Sequence, residues 1–191
     1  MAVESMMLDL GTIAPQFALP DTEGAAYSTD DFADAPALLV MFICNHCPFV
    51  KHVRSELARI GHDYLPRGVA ILAMSSNDPQ KHPEDSFEHM REEKRSAGYT
   101  FPYLFDETQD VAKQYKAACT PDFFLFDQHR KLVYRGQLDD SRPSNGVPVT
   151  GRDLRAALDA LLNRQPISPD QRPSIGCSIK WKPGNQPSWW P

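Results

Sequence analysis

Two cysteines separated by two residues, Cys44 and Cys47, are the side chains best suited to chemistry. A cysteine thiolate attacks disulfide sulfurs and binds soft metals, and a second thiol nearby can form a disulfide with it. Pro48 follows directly, and proline is favoured at the first position of a helix because its missing N–H needs no partner there. Cys47 is therefore predicted to be a helix N-cap, where the helix dipole stabilises a thiolate and lowers its pKa.

His46, inside the same motif, is a second candidate influence on the thiolate, because an imidazolium beside the sulfur stabilises its charge. A stabilised reduced form makes a dithiol pair a stronger oxidant. The alternative is that His46 is an exposed loop residue, and the sequence supports these two interpretations about equally. Lys51 and His52, one turn into the helix, are predicted to be solvated surface residues.

The motif must be carried by a buried strand that leads into a helix. Residues 37–43 are continuously apolar, which is typical of a strand covered on both faces. A helix is predicted over 48–64, because its apolar residues recur on one stripe. A second buried strand is predicted over 69–76, after Gly68 breaks the chain.

The remaining chain alternates strands and helices. The predicted elements are a hairpin over 15–28 with its turn at 21–24, one helical turn at 30–32, a helix over 84–97 ended by Gly98, strands at 101–105, 122–126 and 131–138, a helix to about residue 118 opened by a capping box of Asp106 and Gln109, and a helix behind a capping pair of Thr150 and Asp153. This order favours an α/β fold with a mixed central sheet and helices on both faces.

The C-terminal residues differ in character from the rest. Six prolines and all three tryptophans fall within 165–191. This segment lacks periodicity but is too aromatic for a free linker, so we expect an irregular tail that packs on a domain formed by residues 1–164.

Composition bounds the class of protein. The chain has 191 residues and a formal net charge of −5, which argues against a nucleic-acid-binding surface. Its apolar runs are shorter than the ~20 residues of a membrane span, and the N-terminal sequence lacks the features of a signal peptide. We therefore expect a cytoplasmic protein, in which four unevenly spaced cysteines indicate redox chemistry or a metal site.

Three sequence motifs resemble those of the redoxin superfamily of the thioredoxin fold, namely FICNHCPFVKH, ACTPDFFLFD and SIGCSIKWKPGN. That superfamily includes peroxiredoxins, bacterial thiol–disulfide oxidoreductases with an inserted αβ unit, and peroxiredoxin-like proteins related to alkyl hydroperoxide reductase and thiol-specific antioxidant. The last group is the most similar, over about residues 11–185. The resemblance implies a thioredoxin-like three-layer α/β/α fold with an N-terminal β-hairpin and an inserted αβ unit.

The resemblance also implies roles for Thr120 and Pro121. Pro121 is expected to be cis and to lie against the reactive cysteine, and Thr120 to offer backbone groups to an extended substrate. Peroxiredoxins carry a threonine three residues before their reactive cysteine and a proline seven before, where counting from Cys47 gives Cys44 and Val40. The position of the proline favours Cys47 as nucleophile and Cys44 as its partner, although the conventional thioredoxin assignment is the reverse.

Two further cysteines are less clear. Cys119 is expected near the CxxC motif, either as an additional resolving thiol or as a small buried residue. Cys177 lies in the tail, and packing is the favoured interpretation unless an ordered tail brings it to the site. Arg135 is a weak candidate for the arginine of peroxiredoxins, while Asp139 and Asp140 are better explained by turn formation than by acid–base catalysis.

Three functions are compatible with these residues. The leading hypothesis is a thiol–disulfide oxidoreductase that uses Cys44 and Cys47 on protein or small-molecule disulfides, with a thioredoxin or glutathione system as reductant. The first alternative is a thiol peroxidase, in which Cys44 or Cys119 condenses with a sulfenic acid on Cys47. The second is a metal-binding or metallochaperone protein with these three cysteines and a histidine as ligands. The NHCPFV string resembles the turn of copper-delivering thioredoxin-fold proteins, although Lys51 replaces their second cysteine. No organic cofactor, nucleic acid or membrane partner is expected.

Overall fold

A five-stranded mixed sheet forms the centre of the protein in a computed structural model, which describes residues 2–190. The predicted segments 1–164 and 165–191 therefore each include one terminal residue outside the described range. The strands are β1 (Ala2–Glu4), β2 (Ala18–Pro20), β3 (Ala26–Ser28), β4 (Ala37–Phe42), β5 (Val69–Ser75), β6 (Tyr103–Phe105), β7 (Cys119–Thr120), β8 (Asp122–Asp127), β9 (Leu132–Gly136) and β10 (Ile175–Ser178). The helices are α1 (Pro48–Tyr64), α2 (Phe87–Ala97), α3 (Asp110–Gln114) and α4 (Arg152–Leu162).

Strand β4 is the central strand, and every one of its residues is buried. It pairs in parallel with β5, which pairs in parallel with β6, while β8 and β9 run antiparallel on its other side. Phe42 at the end of β4 lies opposite Asp122 at the start of β8. This register brings Cys44, just beyond β4, close to Thr120 and Pro121, just before β8.

Alternation along β4 divides the interior into two apolar cores. Odd-numbered residues such as Leu39 and Met41 face one core together with the apolar residues of α1, α2 and α4. Even-numbered residues face the other, which α3 and C-terminal aromatic residues cover. The protein is thus a thioredoxin-like three-layer α/β/α fold with a mixed sheet, as predicted. Within residues 2–190, no helix combines the length and apolarity that crossing a membrane requires.

The N-terminal hairpin also forms as expected, with Leu19 opposite Tyr27. Its turn is closed by the Asp21 carboxylate, which accepts hydrogen bonds from the N–H groups of Glu23 and Ala25. The single helical turn predicted after Ser28 is a 3₁₀ turn over Thr29–Phe32.

A second, three-stranded sheet has the order β1-β10-β7 and was not predicted. Strand β10, in the C-terminal segment, lies between the N-terminal strand and the strand that ends at Thr120. Further along the same segment, Trp181 packs edge-on against Trp189 and Trp190. The segment therefore contacts both the body of the protein and the N-terminal residues.

Two predicted capping motifs are wrong. The helix expected from Asp106 to about residue 118 is the single turn α3, and its N-cap Gln109 has a left-handed φ of 66°. The Gln109 amide instead donates to the carbonyl oxygens of Ser76 and Lys180. The Asp106 carboxylate still accepts hydrogen bonds from the N–H groups of Val111 and Ala112, at 3.4 and 2.9 Å, so the box fails at Gln109 while Asp106 caps α3.

Helix α4 likewise has a left-handed N-cap, Gly151, with a φ of 66°, so Thr150 and Asp153 do not form the predicted pair. The free N–H groups of Thr150 and Gly151 bond to the Asp139 carboxylate, at 2.7 and 2.6 Å. Helix α2 starts after a separate 3₁₀ turn over Pro83–Asp85, three residues later than predicted.

Candidate active site

Cys47 is the N-cap of α1, as its position before a proline predicts. Its backbone is extended, with φ −64° and ψ 123°, and Pro48 occupies the first helical turn. In the described chain its side chain makes no capping hydrogen bond of normal geometry. The sulfur therefore lies at the positive end of the helix, where the Val50 N–H helps to lower its pKa.

Thr120 holds both sulfurs of the motif from the opposite side. The Cys47 sulfur lies 3.2 Å from the Thr120 carbonyl oxygen, to which it donates only when protonated, and Cys44 Sγ lies 3.3 Å from Thr120 Oγ1. The peptide bond from Thr120 to Pro121 is cis, the geometry that the resemblance implies. Cys44, Cys47 and Thr120 are thus brought together as the sequence predicts.

The two thiols of the motif are strongly unequal. A hydrogen bond from the Cys44 thiol lowers the pKa of Cys47 to about 5, against burial, which raises it. The same bond and burial raise the pKa of Cys44 well above its ordinary value. One negative charge is therefore held on Cys47, while Cys44 keeps its proton. This asymmetry favours Cys47 as the nucleophile at neutral pH.

Asp85 is the principal residue of the site that sequence reasoning missed. It is fully buried, and its carboxylate accepts hydrogen bonds from the N–H groups of Asn45 and His46 at 2.7 and 3.2 Å. The Asn77 amide donates to it as well, at 2.7 Å. Burial raises the pKa of Asp85, but the bonds from His46 and Asn77 outweigh it, and the net shift is downward. An ionised carboxylate therefore fixes the loop between the two cysteines.

His46 is anchored to that carboxylate rather than free in solvent. Its Nδ1–H donates to Asp85 Oδ2 at 2.6 Å, and its ring stacks on His82 with a centroid distance of 4.6 Å. The bond to Asp85 raises the pKa of His46 above its ordinary value, although burial lowers it. Burial and the neighbouring His46 lower the pKa of His82. A cationic His46 is therefore favoured over the loop interpretation.

Cys177, for which packing was the favoured interpretation, lies at the site. Strand β10 places it directly opposite Thr120. Its side chain is partly exposed, whereas those of the other three cysteines are buried. The side chain and N–H of Cys177 both bond to the Cys47 sulfur and help to lower its pKa, while burial and the Cys47 charge raise the pKa of Cys177.

Cys119 is next to Thr120 in sequence, but its side chain does not contact the CxxC motif. Its sulfur approaches two backbone carbonyl oxygens, those of Pro121 at 3.7 Å and Ser174 at 3.9 Å. Burial raises its pKa well above the ordinary value. Neighbouring residues of a strand face opposite sides, and Thr120 Oγ1 already faces Cys44. These contacts favour the interpretation of Cys119 as a small buried residue.

The polar residues at the end of β9 and just after it make structural contacts. Arg135 donates to the carbonyl oxygen of Leu8 at 2.8 Å and to Gln171, so it is not positioned as a peroxiredoxin arginine. Asp139 caps the start of α4, and Asp140 forms an ion pair with Arg152 at 2.7 Å.

Helix α1 carries two basic residues in its first turns. Lys51 is exposed as predicted. His52 is not fully solvated, because it is half-buried and its Nε2 lies 2.7 Å from Ser141 Oγ.

Donor atoms of Cys44, His46 and Asp85 lie within 4.8 Å of one another, close enough to bind one cation. This group differs from the predicted set, because Asp85 takes part and Cys119 lies apart. The His46–Asp85 ion pair already explains why two of the three donors are close.

Comparisons with known proteins agree with this geometry. A family model described as AhpC/TSA family matches residues 10–135. The chain is 28% identical over 131 residues to the thiol-disulfide oxidoreductase ResA of Geobacillus thermodenitrificans (strain NG80-2), covering 68% of this chain and 70% of that protein. It is 24% identical over 194 residues to 1-Cys peroxiredoxin B of Oryza sativa subsp. indica, covering 94% and 81%.

Similarity to a solved structure extends over nearly the whole chain. The crystal structure of an uncharacterized conserved protein from Geobacillus kaustophilus is 58% identical, with a TM-score of 0.94. The match covers 96% of this chain and 98% of that one.

Proposed function

The chain belongs to the AhpC/TSA family, and from that premise we propose that it is a thiol–disulfide oxidoreductase whose working pair is Cys44 and Cys47. The observation that carries this proposal is the placement of the Cys47 sulfur. It lies at the start of α1, 3.2 Å from the Thr120 carbonyl oxygen, and as a thiolate it is stabilised by a hydrogen bond from Cys44. A thiolate so placed has a resolving thiol next to it.

The reaction begins with attack of the Cys47 thiolate on one sulfur of a substrate disulfide. A mixed disulfide forms, and the other substrate sulfur leaves as a thiolate. Cys44 then attacks the Cys47 sulfur and releases the second substrate thiol. The substrate gains two electrons, and the protein is left with a Cys44–Cys47 disulfide, which a thioredoxin or glutathione system in the cytoplasm reduces.

The asymmetry of the two thiols also explains the order of these steps. Cys44 is held protonated mainly by its hydrogen bond to the charged Cys47 sulfur. Once that sulfur is bound in a mixed disulfide, its negative charge is gone and this restraint on Cys44 disappears. Cys44 then becomes a better nucleophile when resolution is required.

His46 and Asp85 act as positioning residues in this proposal. The carboxylate fixes the backbone of the motif through Asn45 and His46, so the two sulfurs keep their relative positions. The raised pKa of His46 keeps a positive charge beside the motif at mildly acidic pH. That charge favours the thiolate, and thus the reduced form.

Turnover of a small model disulfide with an excess of reductant tests this function. We expect Cys47→Ser to be inactive, and the Cys44→Ser/Cys177→Ser double variant, which has no second thiol beside Cys47, to stop at the mixed disulfide. Cys119→Ser, which removes a buried thiol that faces other groups, is the control and should retain activity. Turnover at the wild-type rate by the Cys44→Ser/Cys47→Ser double variant would contradict the proposal.

A thiol peroxidase is the second candidate, favoured by the burial of the site. The Cys47 side chain is 0% exposed, so a molecule as small as hydrogen peroxide has easier access than a bulky disulfide. The position of Arg135 and the missing threonine and proline argue against it. Rapid mixing of the reduced protein with hydrogen peroxide decides: thiol loss no faster than in free cysteine excludes a peroxidase.

A metal-binding role is the third candidate, supported by the donor group of Cys44, His46 and Asp85. Metal analysis of protein purified without chelator or affinity tag tests it. Protein that neither carries a metal nor retains added Zn²⁺ or Cu⁺ would exclude this role.

A further inference from the structure

Both sulfurs of the CxxC motif are shielded from solvent. The side chains of Cys44 and Cys47 are only 1% and 0% exposed. An external thiol must attack one of the two disulfide sulfurs, and these sulfurs offer it almost no exposed surface. A more exposed thiol beside the Cys44–Cys47 disulfide would therefore give a reductant an easier point of attack.

Strand β10 supplies such a connection, because it aligns Cys177 with Thr120. Residues directly opposite each other on antiparallel strands point to the same face, with Cβ atoms about 4.5–5.5 Å apart. Thr120 Oγ1 on that face contacts Cys44, and the Thr120 carbonyl oxygen contacts Cys47. The Cys177 side chain therefore projects toward the pair of buried sulfurs.

The close approach of β10 is built into the sequence at Gly176. A Cβ atom at this position would lie 2.0 Å from the Thr120 carbonyl oxygen and 3.2 Å from the Pro121 nitrogen. Only glycine permits that distance, so any other residue would push β10, and Cys177 with it, away from the site.

We propose that Cys177 is a third redox thiol, which links the buried Cys47 sulfur to the surface by forming a Cys47–Cys177 disulfide. This inference rests on the proposed oxidoreductase function. Cys177 suits the role because it is partly exposed, unlike Cys44, Cys47 and Cys119.

The exchange begins from the Cys44–Cys47 disulfide. The Cys177 thiol loses its proton and attacks the Cys47 sulfur, and Cys44 leaves as a thiolate that takes up a proton. An external dithiol then attacks the partly exposed Cys177 sulfur and releases the Cys47 thiolate. Its second sulfur resolves this mixed disulfide and frees Cys177. The dithiol becomes a disulfide, and the protein gains the two electrons that it had given to its substrate.

The position of β10 also favours small substrates. Its pairing with β7 occupies the edge of Thr120 that an extended polypeptide would otherwise use.

Peptide mapping of oxidised single-cysteine variants tests the proposal. Reduced Cys44→Ser is treated with one equivalent of oxidised glutathione, digested and analysed by mass spectrometry. We expect a disulfide between the peptides of Cys47 and Cys177, with no glutathione retained. In Cys44→Ser/Cys177→Ser, glutathione should remain bound to Cys47. Glutathione retained on Cys47 in the first variant, with Cys177 free, would overturn the proposal.

Kinetics provide an independent test. In Cys177→Ser, whose hydroxyl can still donate to the Cys47 sulfur, reduction of the model disulfide in a single turnover should slow less than threefold, while steady-state turnover with a dithiol reductant falls at least tenfold. Ser178→Ala, the next residue of β10, controls for disturbance of the strand and should leave both rates unchanged. Steady-state turnover of Cys177→Ser at the wild-type rate would show that β10 moves aside instead. Because Cys47→Ser would still be inactive, that result would leave the oxidoreductase function standing.

Discussion

Helices α1 and α2 begin in the same backbone conformation but with different caps. Ser86 precedes α2 with φ −64° and ψ 159°, and its hydroxyl oxygen accepts a hydrogen bond from the His89 N–H at 3.4 Å. Cys47 precedes α1 with φ −64° and ψ 123°, yet makes no such bond within residues 2–190. The first residue stabilises its helix, whereas the second leaves its sulfur available for chemistry.

The two helix starts are joined by Asp85, which directly precedes Ser86. Its carboxylate accepts hydrogen bonds from the backbone N–H groups that precede Cys47. An ordinary, well-capped helix therefore fixes the weakly capped one. The comparison indicates that the start of α1 is held by a carboxylate from outside the helix, which leaves the Cys47 sulfur free for chemistry.

Replacing the thiol with the cap found in α2 should have the largest effect. Cys47→Ser should lower disulfide turnover by at least about 1,000-fold, because a serine hydroxyl is not ionised at neutral pH and forms no disulfide. Since serine is a preferred N-cap, the free energy of unfolding should fall by no more than about 0.5 kcal/mol. Turnover assays and urea unfolding measure both. Serious destabilisation without loss of turnover would reverse our view of this residue.

Removing the link between the helices should have the next largest effect. Asp85→Ala leaves His46 and two backbone N–H groups without their acceptor, so we expect a loss of roughly 2–3 kcal/mol in the free energy of unfolding. The exposed neighbour Glu84 provides a matched control, and Glu84→Ala should stay within about 0.5 kcal/mol of wild type. Equal stability of the two variants in urea would contradict the anchoring role.

The pH dependence of this loss follows from His46. Because Asp85 raises the pKa of His46 above its ordinary 6.5, the imidazolium stabilises the folded state fully below that ordinary value. This stabilisation disappears as the pH rises through the raised pKa. The stability difference between wild type and Asp85→Ala should therefore shrink above pH 6.5, when unfolding is measured across a pH series. A difference that grows in that range would contradict the ion pair.

A smaller effect is expected on the acidity of the Cys47 thiol. The absorbance of the thiolate near 240 nm in reduced protein should titrate with a midpoint near the pKa of about 5. Cys44→Ala removes the principal hydrogen bond and should raise that midpoint by at least about one unit. Cys44→Ser keeps a donor and should lie between the two. An unchanged midpoint in Cys44→Ala would assign the low pKa to the helix dipole instead.

The smallest effect is expected at the ordinary cap. Ser86→Ala should lower the free energy of unfolding by about 1 kcal/mol, because one backbone N–H of α2 loses its partner. Disulfide turnover should not change, since the Ser86 hydroxyl bonds to His89 and not to the CxxC motif. Loss of turnover with unchanged stability would show that the cap of α2 contributes to the site.

Local features of the fold were predictable because they depend on neighbours in the chain. The apolar run predicts the buried strand β4, and the proline after Cys47 predicts the start of α1. Both predictions are confirmed. The capping pairs failed where a distant partner competed for the same groups. Asp139, for example, accepts hydrogen bonds from the N–H groups of Thr150 and Gly151, where Thr150 and Asp153 are predicted to form a capping pair.

The sequence by itself determined the buried strand, the helix that begins at Pro48 and the cysteine at its start, because side-chain periodicity and proline geometry act over a few residues. Only the tertiary structure decided that Asp85 binds the motif and that Cys177 lies opposite Thr120. Their positions depend on the whole path of the chain between them and the motif. No short-range spacing encodes that path, because it is set by how the sheet, the loops and the C-terminal strand pack together.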